Sequence, residues 1–294
     1  MPVSSNAYMT SASDYEYVSP IIWSSESEKY IYEQSVFQSL AIIDGRFLNA
    51  PGRQGNYTLN NQFSMGKLTE GVDIPVSPLS FNQVTINFFG YGDAKQVSKE
   101  ALAQSFDYVL SDIKEGFAGA IQENRESVIV TELMTTTSTG IYSNGKNSSN
   151  VAVSDTFNTD LIANVKTAMK KTQAKVCNAI VIHPDQENTL LKLANFINAS
   201  QYGSNSVIMA GEIGSYLGIK IMVSNHITSA TENSVTVYKA IAFGRRPFIY
   251  APKRLPEFAF EEETKRSRAI TASVWEMFGV SILRDDSIII LTSA

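Results

Sequence analysis

The feature that most constrains the fold is a long amphipathic pattern from Val97 to about Leu133. Its apolar residues recur at spacings of three, four and seven, which places them on one face of a helix. Unbroken, ~35 residues give a rod of roughly 50 Å, although Gly116 and Gly119 favour a bend in its middle. Single helices of this length are uncommon in compact enzymes. The apolar face comprises Leu102, Phe106, Val109, Ile113, Phe117, Ala120, Ile121 and Val128.

The segment before this helix, residues 50–93, carries prolines and glycines throughout, which exclude a helix. Apolar and polar residues alternate from Gln83 to Phe88, and this period of two predicts a strand. We expect its partner strand near Val72–Leu79, at a sheet edge, because the two prolines of that stretch cannot donate to a ladder. An isolated two-stranded loop is marginally stable, so we expect it to project from the body and to pack on a partner.

A compact α/β domain of about 100 residues is predicted after the long helix, because buried strands and amphipathic helices alternate there. Residues 135–155, rich in Ser, Thr, Asn and Gly, predict the loop that leads into it. Ser154 or Asp155 is expected to cap its first helix, whose inner face runs from Phe157 to Met169. The predicted strands are 178–183, 219–223 and 235–243, and the second helix begins at Pro184.

Residues 245–294 return to strand patterns, with Phe258 and Phe260 expected on one face of the first strand. Glu257, Glu261 and Glu263 are expected on the other face, and basic residues between Lys253 and Arg268 bracket the acidic run. This pattern favours pairing with a neighbouring subunit, although each isolated pair would add only about 0–1 kcal/mol. Ordinary solvent-exposed charge is the alternative. The acidic residues are Glu257, Glu261, Glu262 and Glu263.

Composition excludes several classes of protein. A net charge of −5 argues against a sequence-independent nucleic-acid binder, although a container for nucleic acid needs only a few phosphate contacts. The single cysteine, Cys177, permits no internal disulfide and is interpreted as a buried structural thiol. No continuous apolar stretch is long enough for a membrane span. Residues 1–25 lack a secretory signal and are expected to form an arm that lies on a neighbour.

The sequence offers little that could carry catalysis. His183 and His226 are its only histidines, and His183-Pro184-Asp185 matches no metal-ligand spacing. We interpret His183 as a strand-end residue that backbone groups satisfy, with Pro184 and Asp185 opening a helix. The glycines between 211 and 218 match no phosphate-binding motif and are interpreted as turn residues. No catalytic residue, cofactor or metal is expected, and an α/β enzyme that uses His183 is kept as an alternative.

Four local strings follow one another in a meaningful order. They are Lys67–Gly71 with Val84–Ile86, Lys95–Ala101, Ile180–Asp185 and Gly211–Ile219. Each string is weak alone. Together with the order of arm, two-stranded loop, long helix, α/β domain and returning sheet, they resemble the major capsid proteins of tailed bacteriophages, which have the Hong Kong 97-type shell fold. The resemblance covers roughly residues 26 to 292.

The resemblance implies an α+β fold with an N-terminal arm, an extended two-stranded loop, a long spine helix, a peripheral sheet and a compact α/β axial domain. The implied divisions are the arm at 1–25, the first helix and connection at 26–51, the extended loop at 52–92, the spine helix and first part of the peripheral domain at 93–150, the axial domain at 151–245 and the peripheral return strands at 246–294.

The resemblance also implies a structural protein of the virion that is no enzyme. Copies would assemble in the host cytoplasm into hexamers and pentamers, and close into an icosahedral head around double-stranded DNA that touches the inner surface weakly. Expected partners are further copies of the chain, a portal, a separate scaffolding protein and a decoration protein, with no membrane. An encapsulin-like nanocompartment shell is the nearest alternative, and a mainly β tail-tube or adhesin subunit is a more distant one.

Contacts between subunits are expected from the extended loop, which would lie over an adjacent subunit, from the return strands and from an axial loop. Non-covalent association is expected, since Lys67 is the only lysine of the extended loop and no cross-linking partner is identifiable. The expected contact residues are Tyr57, Phe63, Met65, Lys67, Glu70 and Asp73 in the extended loop, Arg254, Glu261, Glu263, Arg266 and Arg268 on the return strands, and Gln201, Tyr202 and Asn205 in the axial loop.

Overall fold

The computed structural model describes the body of the molecule and part of its projection. The predicted N-terminal arm and the turn at 211–214 lie outside the described residues. The described residues are 35–60, 63, 65–67, 70, 71, 73, 76, 78, 79, 81–98, 109–172, 176–193, 215–263 and 269–294. The predicted contact residues outside them are Gln201, Tyr202, Asn205, Arg266 and Arg268.

The described part folds into helices, strands and short 3-10 turns. The helices are α1 (Phe37–Leu40), α2 (Val109–Leu133), α3 (Thr159–Lys171) and α4 (Pro184–Leu191). The strands are β1 (Ile42–Ile43), β2 (Gln54–Asn60), β3 (Phe81–Asn87), β4 (Phe89–Ser98), β5 (Ile141–Tyr142), β6 (Ala179–Ile182), β7 (Ser215–Tyr216), β8 (Ile219–Val223), β9 (Ser229–Glu232), β10 (Val235–Phe243), β11 (Phe248–Glu263), β12 (Ala269–Ile282) and β13 (Ile288–Ser293).

A four-stranded sheet in the order β1-β11-β12-β4 carries the long helix. β11 and β12 form an antiparallel ribbon, and β4 extends it on the other side of β12. Phe117 of α2 is buried against Ala272 and Val274 of β12, with Ile113 and Ile121 partly buried beside it. The spacing of four residues puts these three side chains on one helix face, as the sequence pattern predicts.

A buried ion pair fixes the position of α2 along this sheet. The Nη2 and Nε atoms of Arg125 lie 2.5 Å and 3.0 Å from Oε2 of Glu276. The Glu276 side chain is only 3% exposed. Removing one partner of a buried pair typically costs about 3–5 kcal/mol, because the other charge is left uncompensated.

The second sheet has the order β5-β13-β10-β6-β8-β7, with β9 paired to β10. β6 and β8 are parallel, and a parallel pair requires a crossover, which here includes α4. Leu161, Val165 and Met169 of α3 are buried against Ile180 and Ile182 of β6 in the core of this sheet. The predicted strands at β6, β8 and β10 are therefore confirmed, as is the helix that begins at Pro184.

The described part of the long helix starts at Val109, whereas the pattern predicts a helix from Val97. Val97 and Ser98 belong to β4, where they pair with Ile270 and Ala269 of β12. The prediction that a helix starts in Lys95–Ala101 was thus wrong for residues 95–98, because the free edge of β12 takes this segment as a strand. The described helix has 25 residues, a length of about 37 Å.

The partner of strand β3 also differs from the prediction. β3 pairs with β2, with Tyr57 opposite Val84, and not with the stretch near Val72–Leu79. The described positions of that stretch lie outside any strand. The sequence gives two reasons for this error. β2 is mostly polar, so it shows little periodic pattern. The connection at residues 61–80 is also much longer than a usual hairpin turn.

The predicted start of α3 was wrong. The cap of α3 is Asn158, whose Oδ1 accepts a hydrogen bond from the Leu161 amide at 2.8 Å, and not Ser154 or Asp155. Asp155 instead accepts bonds from residues of the preceding loop, 135–155, which also contains the short strand β5. Of the first helix, expected within residues 26–51, the described residues contain only the single turn α1, and residues 26–34 lie outside the described part of the chain.

The carboxylate of Glu126 holds the segment that enters the body from the N-terminal side. Its Oε2 accepts the amides of Val36 and Phe37 at 3.1 and 2.7 Å, and its Oε1 accepts the Gln38 amide at 3.0 Å and the Ser35 hydroxyl at 2.6 Å. Glu126 is 1% exposed. A side chain of α2 therefore caps the one-turn helix α1, which has no side-chain cap of its own at Val36.

We predict that Glu126→Ala lowers the free energy of unfolding by about 3 kcal/mol, because four donors lose a charged acceptor. Denaturant unfolding of the purified, unassembled chain measures this change. Glu123→Ala, a partly exposed position of the same helix, is the matched control and should stay within about 0.5 kcal/mol. Equal losses in both variants would contradict the capping role.

Candidate assembly surfaces

We call strands β2 and β3, together with the described residues between them, the projection. Its base is anchored in the body. Ile86 and Phe88 are buried with Ile249 and Ala251 of β11. β12 comes so close to this base that a Cβ added at Gly279 would lie 2.5 Å from the Asn87 carbonyl oxygen and 2.7 Å from Cγ2 of Ile86. Only glycine at position 279 leaves room for this contact. The close packing of β12 against Ile86 and Asn87 therefore fixes the position of the base of the projection.

Tyr57 lies at this base and is contacted by its own chain. Nη2 of Arg246 donates to the Tyr57 hydroxyl at 2.8 Å, and the Arg46 guanidinium lies 5.1 Å from the ring centroid. The hydrogen bonds from Arg46 hold the pKa of Asp44 below its usual range. The structure thus gives Tyr57 an intramolecular partner, and its contact with a neighbouring subunit stays a prediction.

The far part of the projection exposes apolar side chains. Phe63 is 72% exposed and Met65 is fully exposed, although both are large enough to favour burial. Lys67, Glu70 and Asp73 are exposed in the same segment. A contiguous set of exposed apolar residues with charges at its rim is typical of an interaction site.

The ribbon has a second face, turned away from α2, that we call the Trp275 face. It consists of Trp275 and its cross-strand neighbours Glu257 and Gly92, followed along the ribbon by the Glu261–Thr271 pair. Trp275 is 41% exposed. Its indole spreads over the glycines of β4, because a Cβ added at Gly90 would lie 3.2 Å from Nε1 of Trp275. This face therefore exposes the Trp275 indole next to the carboxylates of Glu257 and Glu261.

The register of the ribbon confirms the predicted alternation of β11, but the sequence analysis did not identify Trp275 of β12 as a surface residue. Phe258 and Phe260 stand opposite Val274 and Ala272 on the helix side, and Glu257 and Glu261 lie on the other face. The signal for Trp275 was the alternation of β12 itself, in which Ala272, Val274 and Glu276 are buried while Trp275 between them is exposed.

The basic residues near the start of the ribbon have different surroundings. Nη1 of Arg254 donates to Oδ1 of Asn49 at 3.0 Å, and Arg254 remains exposed. Lys253 is buried, with its ammonium 4.9 Å from the centroid of the Phe88 ring, so it belongs to the base of the projection. Glu263 ends β11, where its backbone pairs with Ala269.

His183 has the structural role that its sequence context predicts. Its Nδ1 accepts the Asp185 amide at 3.2 Å at the start of α4, and its ring stacks on Tyr238 with centroids 4.2 Å apart. Burial raises the pKa of the Cys177 thiol to about 12, which confirms a buried structural cysteine. Within the described ranges, no three acidic, histidine or cysteine side chains are grouped to hold a metal ion. No helix of the described part is long and apolar enough to cross a membrane.

A family model described as phage capsid protein matches residues 84–291. The match covers well over half of the chain, and the chain therefore belongs to the phage capsid protein family. A comparison with curated proteins gives no match.

Solved phage structures share the fold. The capsid of cyanophage Pam1 aligns over 98% of this chain and 99% of its own at a TM-score of 0.77 and 12% identity. The capsid of Helicobacter pylori bacteriophage KHP30 aligns over 98% and 99%, with a TM-score of 0.75 and 14% identity. A structure from Mycobacterium phage Che8 aligns over 92% and 96%, with a TM-score of 0.71 and 15% identity.

The expected Hong Kong 97-type capsid fold is thus confirmed. The chain is a major capsid shell protein, a structural component of the virion that associates with further copies of itself. The encapsulin-like shell and the enzyme that uses His183 are not favoured by these comparisons.

We predict that Gly279→Ala destabilises the chain by about 1–3 kcal/mol, since the added methyl group overlaps backbone that cannot move aside. Thermal unfolding measures the loss, and limited proteolysis should show faster cleavage within residues 54–87. Gly45→Ala is the control, because a Cβ there meets nothing within 4 Å. A Gly279→Ala chain as stable as the parent would show that the base of the projection does not pack closely against Gly279.

Proposed function

We propose that this shell protein assembles into hexamers and pentamers that close into an icosahedral head around packaged double-stranded DNA. The observation that supports this best is the family match, which covers both the ribbon and the second sheet. The exposed apolar end of the projection supports it further, because the described part of the chain leaves Phe63 and Met65 exposed. We place assembly in the host cytoplasm.

The extended loop, in this proposal, lies across the Trp275 face of an adjacent subunit. Phe63 and Met65 would cover the indole of Trp275, and Lys67 would lie near the carboxylates of Glu257 and Glu261. The two surfaces are complementary in chemistry: one exposes Phe63, Met65 and the cation Lys67, and the other exposes the Trp275 indole beside the carboxylates of Glu257 and Glu261.

The apolar contacts would supply most of the binding energy. Burying each large apolar side chain stabilises the contact by about 1.5–3 kcal/mol, whereas an exposed ion pair adds about 0–1 kcal/mol. The charges would set register and exclude wrong partners. Glu70 and Asp73 would similarly meet the basic residues Arg254, Arg266 and Arg268 of a neighbour, with Glu263 at the end of β11 completing the charged edge.

Other contacts complete the shell. The N-terminal arm, residues 1–25, would lie on a neighbour, and Gln201, Tyr202 and Asn205 would meet their copies around the centre of each capsomer. A portal, a separate scaffolding protein and a decoration protein are the further partners. DNA would touch the inner surface weakly, since the chain is acidic overall, with a net charge of −5.

We predict that replacing both Phe63 and Met65 with Ser raises the concentration needed for shell formation by at least about tenfold, while the unfolding temperature of the unassembled chain stays the same. Sedimentation of assembly reactions measures the shell fraction. Val153→Ser removes a similarly exposed apolar side chain from the loop before α3 and should leave assembly unchanged.

Charge reversal tests the pairing directly. Lys67→Glu and Glu257→Lys should each lower the yield of shells, and a chain that carries both substitutions should recover part of it, because opposite charges again face each other. If the double variant assembles no better than the worse single variant, Lys67 and Glu257 do not meet across subunits.

Association should be non-covalent. Shells boiled in denaturant and run on a gel should therefore give a single band at the mass of one chain, 32.3 kDa. A ladder of multiples of this mass would overturn this part of the proposal.

A further inference from the structure

Asn144 and Gly145 form the only Asn-Gly sequence of the chain. The backbone here requires such a pair, because both residues have positive φ angles, 53° and 65°. Asn and Gly are the residues that adopt this left-handed conformation at least cost. The turn therefore keeps a dipeptide that is chemically labile in water.

The labile step is loss of ammonia from the Asn144 side chain. The Gly145 backbone nitrogen attacks Cγ of Asn144, an N–Cγ bond forms, the Cγ–Nδ2 bond breaks, and ammonia leaves with the proton that Gly145 gives up. Water then opens the cyclic imide at either carbonyl and leaves aspartate or isoaspartate. Gly145 has no side chain to hinder the attack, so this dipeptide is the fastest site in a flexible chain.

In the folded chain both ends of the Asn144 carboxamide are held. Its Nδ2 donates to Oδ1 of Asp155 at 2.9 Å, and its Oδ1 accepts from Nδ2 of Asn158 at 3.0 Å. The partners are themselves fixed, since Oδ2 of Asp155 accepts the Ala152 amide and Asn158 caps α3 through the Leu161 amide. The carboxamide must break two hydrogen bonds before it can turn toward Gly145.

We propose that Asn144–Gly145 deamidates spontaneously in the unfolded chain, and that Asp155 and Asn158 form a clamp that keeps it intact in the folded state. The hydrogen bond from Asn144 also holds the pKa of Asp155 below its ordinary value, so the accepting carboxylate stays charged at neutral pH.

Modification would have structural consequences beyond the turn. A carboxylate at position 144 would replace the amide donor that now lies 2.9 Å from Asp155, and two like charges would face each other. Asp155 also holds the last residue of the chain, because its carbonyl oxygen accepts the Ala294 amide at 3.0 Å. The repulsion would thus loosen the loop, the start of α3 and the C-terminal residue together.

Mass spectrometry of the full chain, incubated folded or in urea at mildly alkaline pH, tests this proposal. Cleavage after Arg125 and Lys146 gives peptide 126–146, which contains Asn144 as its only asparagine and no glutamine, so any conversion of amide to acid is assigned without ambiguity. We expect the folded chain to convert roughly tenfold or more slowly than the chain in urea, because two hydrogen bonds must open first.

Two variants separate the clamp from general stability. Asp155→Ala, shown to be folded by circular dichroism, removes one of the two clamp bonds and should convert several-fold faster than the folded wild type, whereas Asp155→Asn keeps an acceptor and should remain slow. Asn158→Ser preserves a good helix cap but removes the second clamp bond, so Asn144 should convert at an intermediate rate. This variant replaces Asp155→Ala in the test if Asp155→Ala does not fold. Equal rates in folded and unfolded wild-type chain, or folded Asp155→Ala and Asn158→Ser chains as slow as the wild type, would overturn the proposal.

Discussion

Two consecutive residues of α2, Arg125 and Glu126, join the long helix to opposite parts of the molecule. Arg125 pairs with the buried Glu276 of β12, and Glu126 caps the turn that begins at Phe37. Glu126 and Glu276 are buried and Arg125 is partly buried, so losing either interaction would leave a buried carboxylate without its partners. The helix is thereby locked at once to the ribbon and to the segment through which the N-terminal part of the chain enters the body.

A rigid body of this kind explains how the chain can present exposed apolar surfaces. The base of the projection packs against Gly279, while Phe63 and Met65 at its far part are exposed in the part of the chain that the structure describes. The Trp275 face is likewise open, because α2 packs on the other side of the ribbon. A shell protein needs both properties: a body stiff enough to transmit load, and surfaces that only neighbouring copies can bury.

Much of this architecture could be predicted from the sequence where one periodicity dominates. The helical face through Phe117 and the buried strand at Ile180 are examples. β2 could not be predicted, because Tyr57 and Leu59 are nearly its only apolar side chains and its partner is distant in sequence. The cap by Glu126 could not be predicted from the sequence either, because Val36 and Glu126 meet only through tertiary packing. Trp275 was missed because its exposure depends on which side of the ribbon the helix covers.

The most direct test of the central claim is negative-stain electron microscopy of the purified full chain together with its sedimentation profile. We predict uniform spherical shells, or pentamers and hexamers that convert into shells when salt or crowding is changed. A monodisperse monomer or dimer that never assembles under these conditions would contradict the account.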